Sequence, residues 1–238
     1  VTVVCPDMLS QGWQMGLPEP LFGHTRMHQI YTQAKPDYTG RVTVPVLWDK
    51  KTNTIVSNES SEIIRMFNSE FNELTGNHDD YYPEQLKHVI DEWNDFVYPN
   101  VNNGVYRCGF ATTQEAYEEA FDSLFTALDK IDSHLATHRY LAGNTITEAD
   151  WRLFTTLIRF DAVYVGHFKC NKQRIADYEN IQGYLKELYQ VEGVEETTDF
   201  YHIKRHYYFS HTGINPTQVV PKGPDLDLNS PHGREIIG

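Results

Sequence analysis

The hydrophobic period of this chain changes once, near residue 83, and that change limits what it can fold into. Beyond it, apolar side chains recur at helical spacing. Leu86, Val89, Ile90, Trp93, Phe96 and Val97 fall on one face, as do Tyr117, Ala120, Phe121, Leu124, Leu128, Ile131 and Leu135. Further helices are predicted over residues 148–163, 181–189 and 200–209. Before the change the pattern is β-like and turn-rich. Residues 1–4 form a β-branched run closed by Pro6, and Gly12, Gly16, Pro18, Pro20 and Gly23 make the following stretch a loop. Residues 41–48 and 55–56 read as strands joined by the polar turn 49–54, a hairpin. A helix follows over residues 59–67, with Asn58 as its N-cap and Glu62 in its first turn. Residues 75–83 are a polar linker. Residues 215–238, punctuated by Pro216, Pro221, Pro224 and Pro231, read as an extended tail. The predicted organisation is an incomplete α/β domain over residues 1–72, an all-helical domain over 82–214, and the tail.

The best-specified local feature is the start of the third helix of the second domain. Thr147 and Asp150 stand at N-cap and N3 of a capping box, and Ile146 and Trp151 at the positions of a hydrophobic staple. Such a cap specifies folding and not chemistry.

Charge and cysteine content narrow the function classes. With 20 basic and 33 acidic residues the net charge is −13, and no basic block offsets it; Lys204, Arg205 and His206 are the densest basic cluster. Nucleic acid and anionic membranes are therefore excluded as main partners. Cys5, Cys108 and Cys170 are odd in number, widely spaced and without a CxxC pair, which points to a reducing, cytoplasmic setting. His202 and His206 are four apart, with His211 beyond, but no HExxH glutamate accompanies them, so they read as a solvated helix face and not a metal site. His24 and His28 read the same way. No GxSxG elbow supports a hydrolase.

The order of a small α/β unit, a linker and an all-helical domain resembles glutathione transferases, whose first domain is thioredoxin-like. Several blocks resemble the glutathionyl-hydroquinone reductases, the Xi class of that family. They are Gly12 and Trp13, then residues 41–49 (RVTVPVLWD), 57–65 (SNESSEIIR), 104–111 (GVYRCGFA), 159–164 (RFDAVY), 180–185 (NIQGYL) and 202–207 (HIKRHY). Their order covers nearly the whole chain.

The resemblance implies a thiol-dependent reductase that takes glutathione as co-substrate, holds no permanent cofactor or metal, acts on aromatic glutathione conjugates and forms a homodimer. It places a cis-proline at Pro45 and glutathione at Trp13, Arg41, Val42, Thr43, Val44, Glu59 and Ser60. Side-chain chemistry agrees. The edge at Val44 beside a proline has backbone groups to pair with a peptide. Glu59 suits the γ-glutamyl amine, while Ser60 and a helix N-terminus suit the carboxylate. Of the tyrosines, Tyr106 matches the family's proton donor and acceptor, and Tyr164 and Tyr207 match positions that keep the nucleophile a thiolate. A phenol is a donor at neutral pH and fits both tasks.

The family's nucleophile lies in a Cys-Pro-Trp-Ala-type motif at the start of the first helix, where the helix end lowers the thiol pKa. No such motif occurs here. Cys5 precedes Pro6, but the residues before Gly12 are too few for the helix that should follow. Cys108 and Cys170 lie in the helical domain and read as ordinary small residues. Residues 1–4 then count as the fold's second strand, and the first strand, first helix and nucleophile are expected upstream of Val1, leaving residues 1–238 alone inactive. Two other readings compete: a non-catalytic binding module of the same fold, and an omega-type thiol or dehydroascorbate reductase.

Overall fold

The computed structural model describes residues 1–237 and divides between Asp80 and Tyr81. The first unit has three buried apolar side chains at its centre, Met27, Ile30 and Tyr31. They share one face of helix α1, Met27–Ala34, whose entry is secured by Gln29: its side-chain oxygen accepts from the amides of Thr25 and Arg26, both at 3.0 Å. Val4, Trp13, Met15, Tyr38, Val42, Val44, Val46, Trp48 and Ile55 pack around this face. The segment containing α1 had the composition of a loop. Its apolar spacing extends over little more than one turn, and a moderately amphipathic helix that short is held by its packing.

Strands β1, Leu47–Asp49, and β2, Thr54–Ser57, form an antiparallel hairpin with Trp48 opposite Ile55 and Asp49 opposite Thr54. The Asp49 carboxylate accepts from the Lys51 amide (2.7 Å) and the Thr52 hydroxyl (2.6 Å), closing the turn. Two strand expectations need correction. Residues 41–46 are not strand: the Val44–Pro45 bond is cis and Pro45 has no amide to pair. Residues 1–4 are not strand either, because only Val4 pairs, through a single bridge to Met15. Helix α2, Ser60–Ser69, has Glu59 and not Asn58 at its N-cap. Asn58 instead donates to Tyr31 and Thr43, while Ser57 accepts from the Glu59 amide (3.1 Å) and donates to Glu62 (2.7 Å). A short α3, Asn72–Thr75, ends at Gly76, whose φ of 71° suits glycine.

The described residues of the second unit form helices and loops and no strand. Helix α4, Lys87–Val97, runs through a π turn, Tyr98–Asn102, into α5, Gly104–Gly109. Helix α6, Gln114–Leu135, is the longest, with Leu124, Leu128, Ile131 and Leu135 fully buried. Helix α7, Glu148–Arg159, passes through a second π turn, Phe160–Tyr164, into α8, Val165–His167. Helices α9, Ile181–Tyr189, and α10, Phe200–Ser210, complete the unit. Val89 is exposed and lies off the buried face of α4.

The capping box of α7 is present and deeper than a surface cap. Asp150 is fully buried and accepts from the Leu141 amide, the Thr147 amide and hydroxyl, and the Tyr184 hydroxyl, at 2.8–2.9 Å. Residues 215–237 contain no helix or strand, yet they are not a loose tail. Arg234 is 3% exposed. Its guanidinium donates to the carbonyls of Leu135, His138, Arg139 and Asn180 at 2.8–3.4 Å and pairs with buried Glu187 at 3.4 Å. These carbonyls lie at the end of α6 and just before α9. An Arg234→Ala variant is expected to lose about 2–3 kcal/mol of stability, because the four carbonyls lose their donor while Glu187 keeps Arg139 and Tyr140. Urea unfolding measures this, and a loss under about 1 kcal/mol would contradict the staple.

Candidate active site

Three helical segments of the second unit bring three phenols together. Tyr106 lies on α5, Tyr164 in the π turn after α7, and Tyr207 on α10. The Tyr207 hydroxyl is 2.5 Å from that of Tyr106 and 2.9 Å from that of Tyr164. The π turn is pinned by Asp161, whose carboxylate accepts from the amides of Ile175 (2.7 Å) and Ala176 (3.0 Å). The Cys170 amide donates to the Tyr164 carbonyl at 2.9 Å. Burial pushes the Tyr164 and Tyr207 phenols well above the usual tyrosine range, so both keep their protons at neutral pH.

Aromatic rings enclose this chain of hydroxyls. Phe168 stacks on Tyr164 (5.4 Å, 13° between planes) and meets Tyr207 edge-on at 5.7 Å. Its approach to α5 requires Gly109: a Cβ there would lie 2.1 Å from the Phe168 ring. Phe110, one residue on and 52% exposed, lies with its ring parallel to that of Tyr106. The outer edge of the cluster is thus an exposed aromatic surface beside the Tyr106 hydroxyl.

His206 and His211 do not lie on a bare solvated face as their spacing suggested. Their rings contact Tyr207 at 5.2 and 5.4 Å, and His211 Nδ1 is 3.2 Å from Nε2 of buried His167. The residues that recruit them, His167 and Phe168, are remote in sequence. Burial lowers the pKa of His167 and His211 to about 4, so both are neutral at physiological pH. Among the described residues no three His, Cys, Asp or Glu side chains are placed to hold a metal. Cys108 and Cys170 are buried, the Cys170 thiol donates to the Phe168 carbonyl at 3.8 Å, and Cys108 lies two residues after Tyr106. The neighbouring Cys108 thiol and burial push the Cys170 thiol up. Cys5 is partly buried on an extended segment, and no helix begins until Met27.

The candidate glutathione residues lie in the first unit, where the structure links most of them. Trp13, Val42 and Val44 pack on the α1 face. The Tyr31 hydroxyl donates to the Thr43 carbonyl (2.9 Å) and accepts from the Thr43 amide (3.3 Å) and the Asn58 side chain (3.1 Å). Asn58 also donates to the Thr43 hydroxyl at 3.2 Å. The strip 41–44 is thereby tied to the start of α2, where Glu59 and Ser60 are exposed and no side chain of Glu59 caps the helix. Arg41 is exposed, with its carbonyl accepting from Tyr38 at 2.6 Å. Tyr31 and Asn58 are the organising residues missed in the sequence. The only available signal for Tyr31 was the short apolar face of α1.

A small α/β unit with a cis-proline strip, followed by a helical unit whose helix α7 starts at a buried capping box, is the arrangement of a glutathione transferase. Residues 114–187 match the model of the glutathione S-transferase C-terminal domain family. The chain is 53% identical to glutathionyl-hydroquinone reductase YqjG of Escherichia coli, over 99% of this chain and 74% of that protein. It is 50% identical to glutathionyl-hydroquinone reductase PcpF of Sphingobium chlorophenolicum, over 96% and 74%. The glutathione-bound structure of YqjG superposes with a TM-score of 0.96, covering 99% of this chain and 79% of that one. The chain belongs to the glutathionyl-hydroquinone reductases, within the glutathione transferases.

Two outcomes follow from this packing. Gly109→Ala is expected to displace Phe168 and cost roughly 1–3 kcal/mol through overpacking, read by thermal or urea unfolding; a neutral effect would mean the ring yields freely. For the histidines, the unfolded imidazoles take up protons near 6.5 and the folded ones only near 4. Between these values the unfolded chain binds more protons, so stability falls as pH drops through that window. His211→Gln should flatten the slope of unfolding free energy against pH there, and an unchanged slope would refute the assignment.

Proposed function

We propose that the chain performs the glutathione-dependent reduction of glutathionyl-hydroquinones to hydroquinones. The observation that most supports the reading is the convergence of Tyr106, Tyr164 and Tyr207 through one hydroxyl, in a family whose relatives carry that activity in their names. A cysteine thiolate attacks the glutathione sulfur of the conjugate. The carbon–sulfur bond breaks, the aromatic carbon keeps the bonding pair and takes a proton from Tyr106, and a cysteine–glutathione disulfide remains. The thiolate of a second glutathione then attacks that disulfide, releasing oxidised glutathione and the enzyme thiolate. The two electrons delivered to the aromatic carbon are those given up in joining two glutathiones.

Tyr207, with Tyr164 behind it, stabilises the thiolate. Cys108 and Cys170 are too buried to attack a substrate and Cys5 has no helix start beside it, so the nucleophile is assigned to none of the three. In the first unit, the strip 41–44 pairs with the tripeptide backbone and Trp13 covers it. Arg41 attracts an anionic end, Glu59 takes the γ-glutamyl amine, and Ser60 with the α2 N-terminus takes its carboxylate. The reading includes a homodimer built on the helical unit and a cytoplasmic location, where free thiols and a glutathione pool persist; among the described residues no helix is long and apolar enough to cross a membrane.

The test uses enzyme that includes the nucleophilic cysteine, with a glutathionyl-hydroquinone and glutathione, following release of oxidised glutathione. Tyr106→Phe is expected to lower the rate on the order of a hundredfold. Glu59→Gln with Ser60→Ala should raise the KM for glutathione about tenfold or more while leaving the fold intact. Wild-type enzyme that releases no oxidised glutathione would refute the proposal.

A further inference from the structure

We infer that Tyr164 is a positioning residue whose single proton is committed to Tyr207, fixing an outward direction of donation from Tyr164 through Tyr207 to Tyr106. The inference rests on the reading of Tyr106 as the proton donor. It separates Tyr164 from the direct thiolate contact that the family resemblance assigns to it.

The argument is one of counting protons. A phenol donates once and accepts through its oxygen. Tyr164 is 2% exposed, and among the described residues its hydroxyl has one hydrogen-bond partner, Tyr207, at 2.9 Å. The rings around it belong to Phe160 and Phe168, which offer no acceptor. Were Tyr207 to donate to Tyr164, the Tyr164 proton would face carbon, a buried donor left unpaired. Tyr164 therefore donates and the Tyr207 oxygen accepts. The Tyr207 proton is then free for the oxygen of Tyr106, 2.5 Å away. Tyr106 is 36% exposed and its oxygen accepts from Tyr207, which leaves its own proton for a partner beyond these three hydroxyls.

This polarity has a chemical use. When Tyr106 gives its proton to the departing aromatic carbon, its phenolate oxygen already faces the Tyr207 proton, and no donor must reorient. Tyr207 stays neutral and presents its proton outward to whichever anion stands there, the Tyr106 phenolate or the thiolate. With its one proton committed to Tyr207, Tyr164 donates to neither. The titratable groups packed around Tyr207 are His167, His206 and His211, in ring contact at 5.2–6.4 Å, and Arg159 at the end of α7, whose charge favours a phenolate at either buried position.

The experiment compares Tyr164→Phe and Tyr207→Phe in enzyme that includes the nucleophilic cysteine. Hydroquinone release is followed across pH in single turnovers, and the thiolate is titrated separately by its ultraviolet absorbance. Tyr164→Phe is expected to slow release about tenfold and to move the pH at which the rate bends, while the thiolate titration stays at its wild-type position. Tyr207→Phe should move both. A thiolate titration displaced equally by the two variants overturns the inference, as does unaltered release in Tyr164→Phe. Should the phenylalanine variant unfold, Tyr164→3-fluorotyrosine keeps the packing with a more acidic donor. It is expected to shift the release profile opposite to the direction lost donation would give, and no shift overturns the inference. Wild-type enzyme that releases no hydroquinone strikes the proposed function itself, whereas active wild type with an indifferent Tyr164 strikes this inference alone.

Discussion

The helical unit is organised around one buried carboxylate. Asp150 gathers the Leu141 amide, the amide and hydroxyl of Thr147, and the Tyr184 hydroxyl, so one side chain joins the loop before α7, the first turn of α7 and the middle of α9. Burial raises its pKa, and the four donors work against that rise. A carboxylate in this position is tolerated only when its lone pairs are used, which makes the local geometry close to unique. The direction of α7 is set there, and with it the position of the π turn that carries Tyr164. The chemistry at one end of α7 thus depends on hydrogen bonds at the other.

Around the three phenols the protein places aromatic rings and neutral imidazoles, with Arg159 the nearby charge. Phe168 and Phe160 pack against Tyr164, and the His167–His211 pair packs against Tyr207. The close approach of Phe168 to Gly109 shows the steric side of the same arrangement: α5 has no side chain where the ring must lie.

The helical half was legible in the sequence because its signals are local. A 3.6-residue period predicts α6 and α9 closely, and the Thr147–Asp150 spacing marks the start of α7. The α/β half was less legible. Residues 1–4 and 41–46 have strand composition, but a strand exists only where a neighbouring backbone pairs with it, and the hairpin from Leu47 to Ser57 alone meets that condition as a ladder. The site divides the same way. Glu59, Ser60 and the tyrosines sit in recognisable blocks, whereas Tyr31, Asn58, His167 and Phe168 matter through contacts between residues far apart in sequence, which no local period reports.

The clasp made by Arg234 bears on the order in which this protein becomes whole. Its guanidinium closes on the Leu135 carbonyl, 99 positions earlier in the chain. Helices α6, α7 and α9 are all synthesised before that contact can exist. On the ribosome the helical unit must therefore wait with the end of α6 unclasped, a partly finished state of the kind that recruits chaperones. Closure of these helix ends follows their synthesis and comes from a segment made after all three helices.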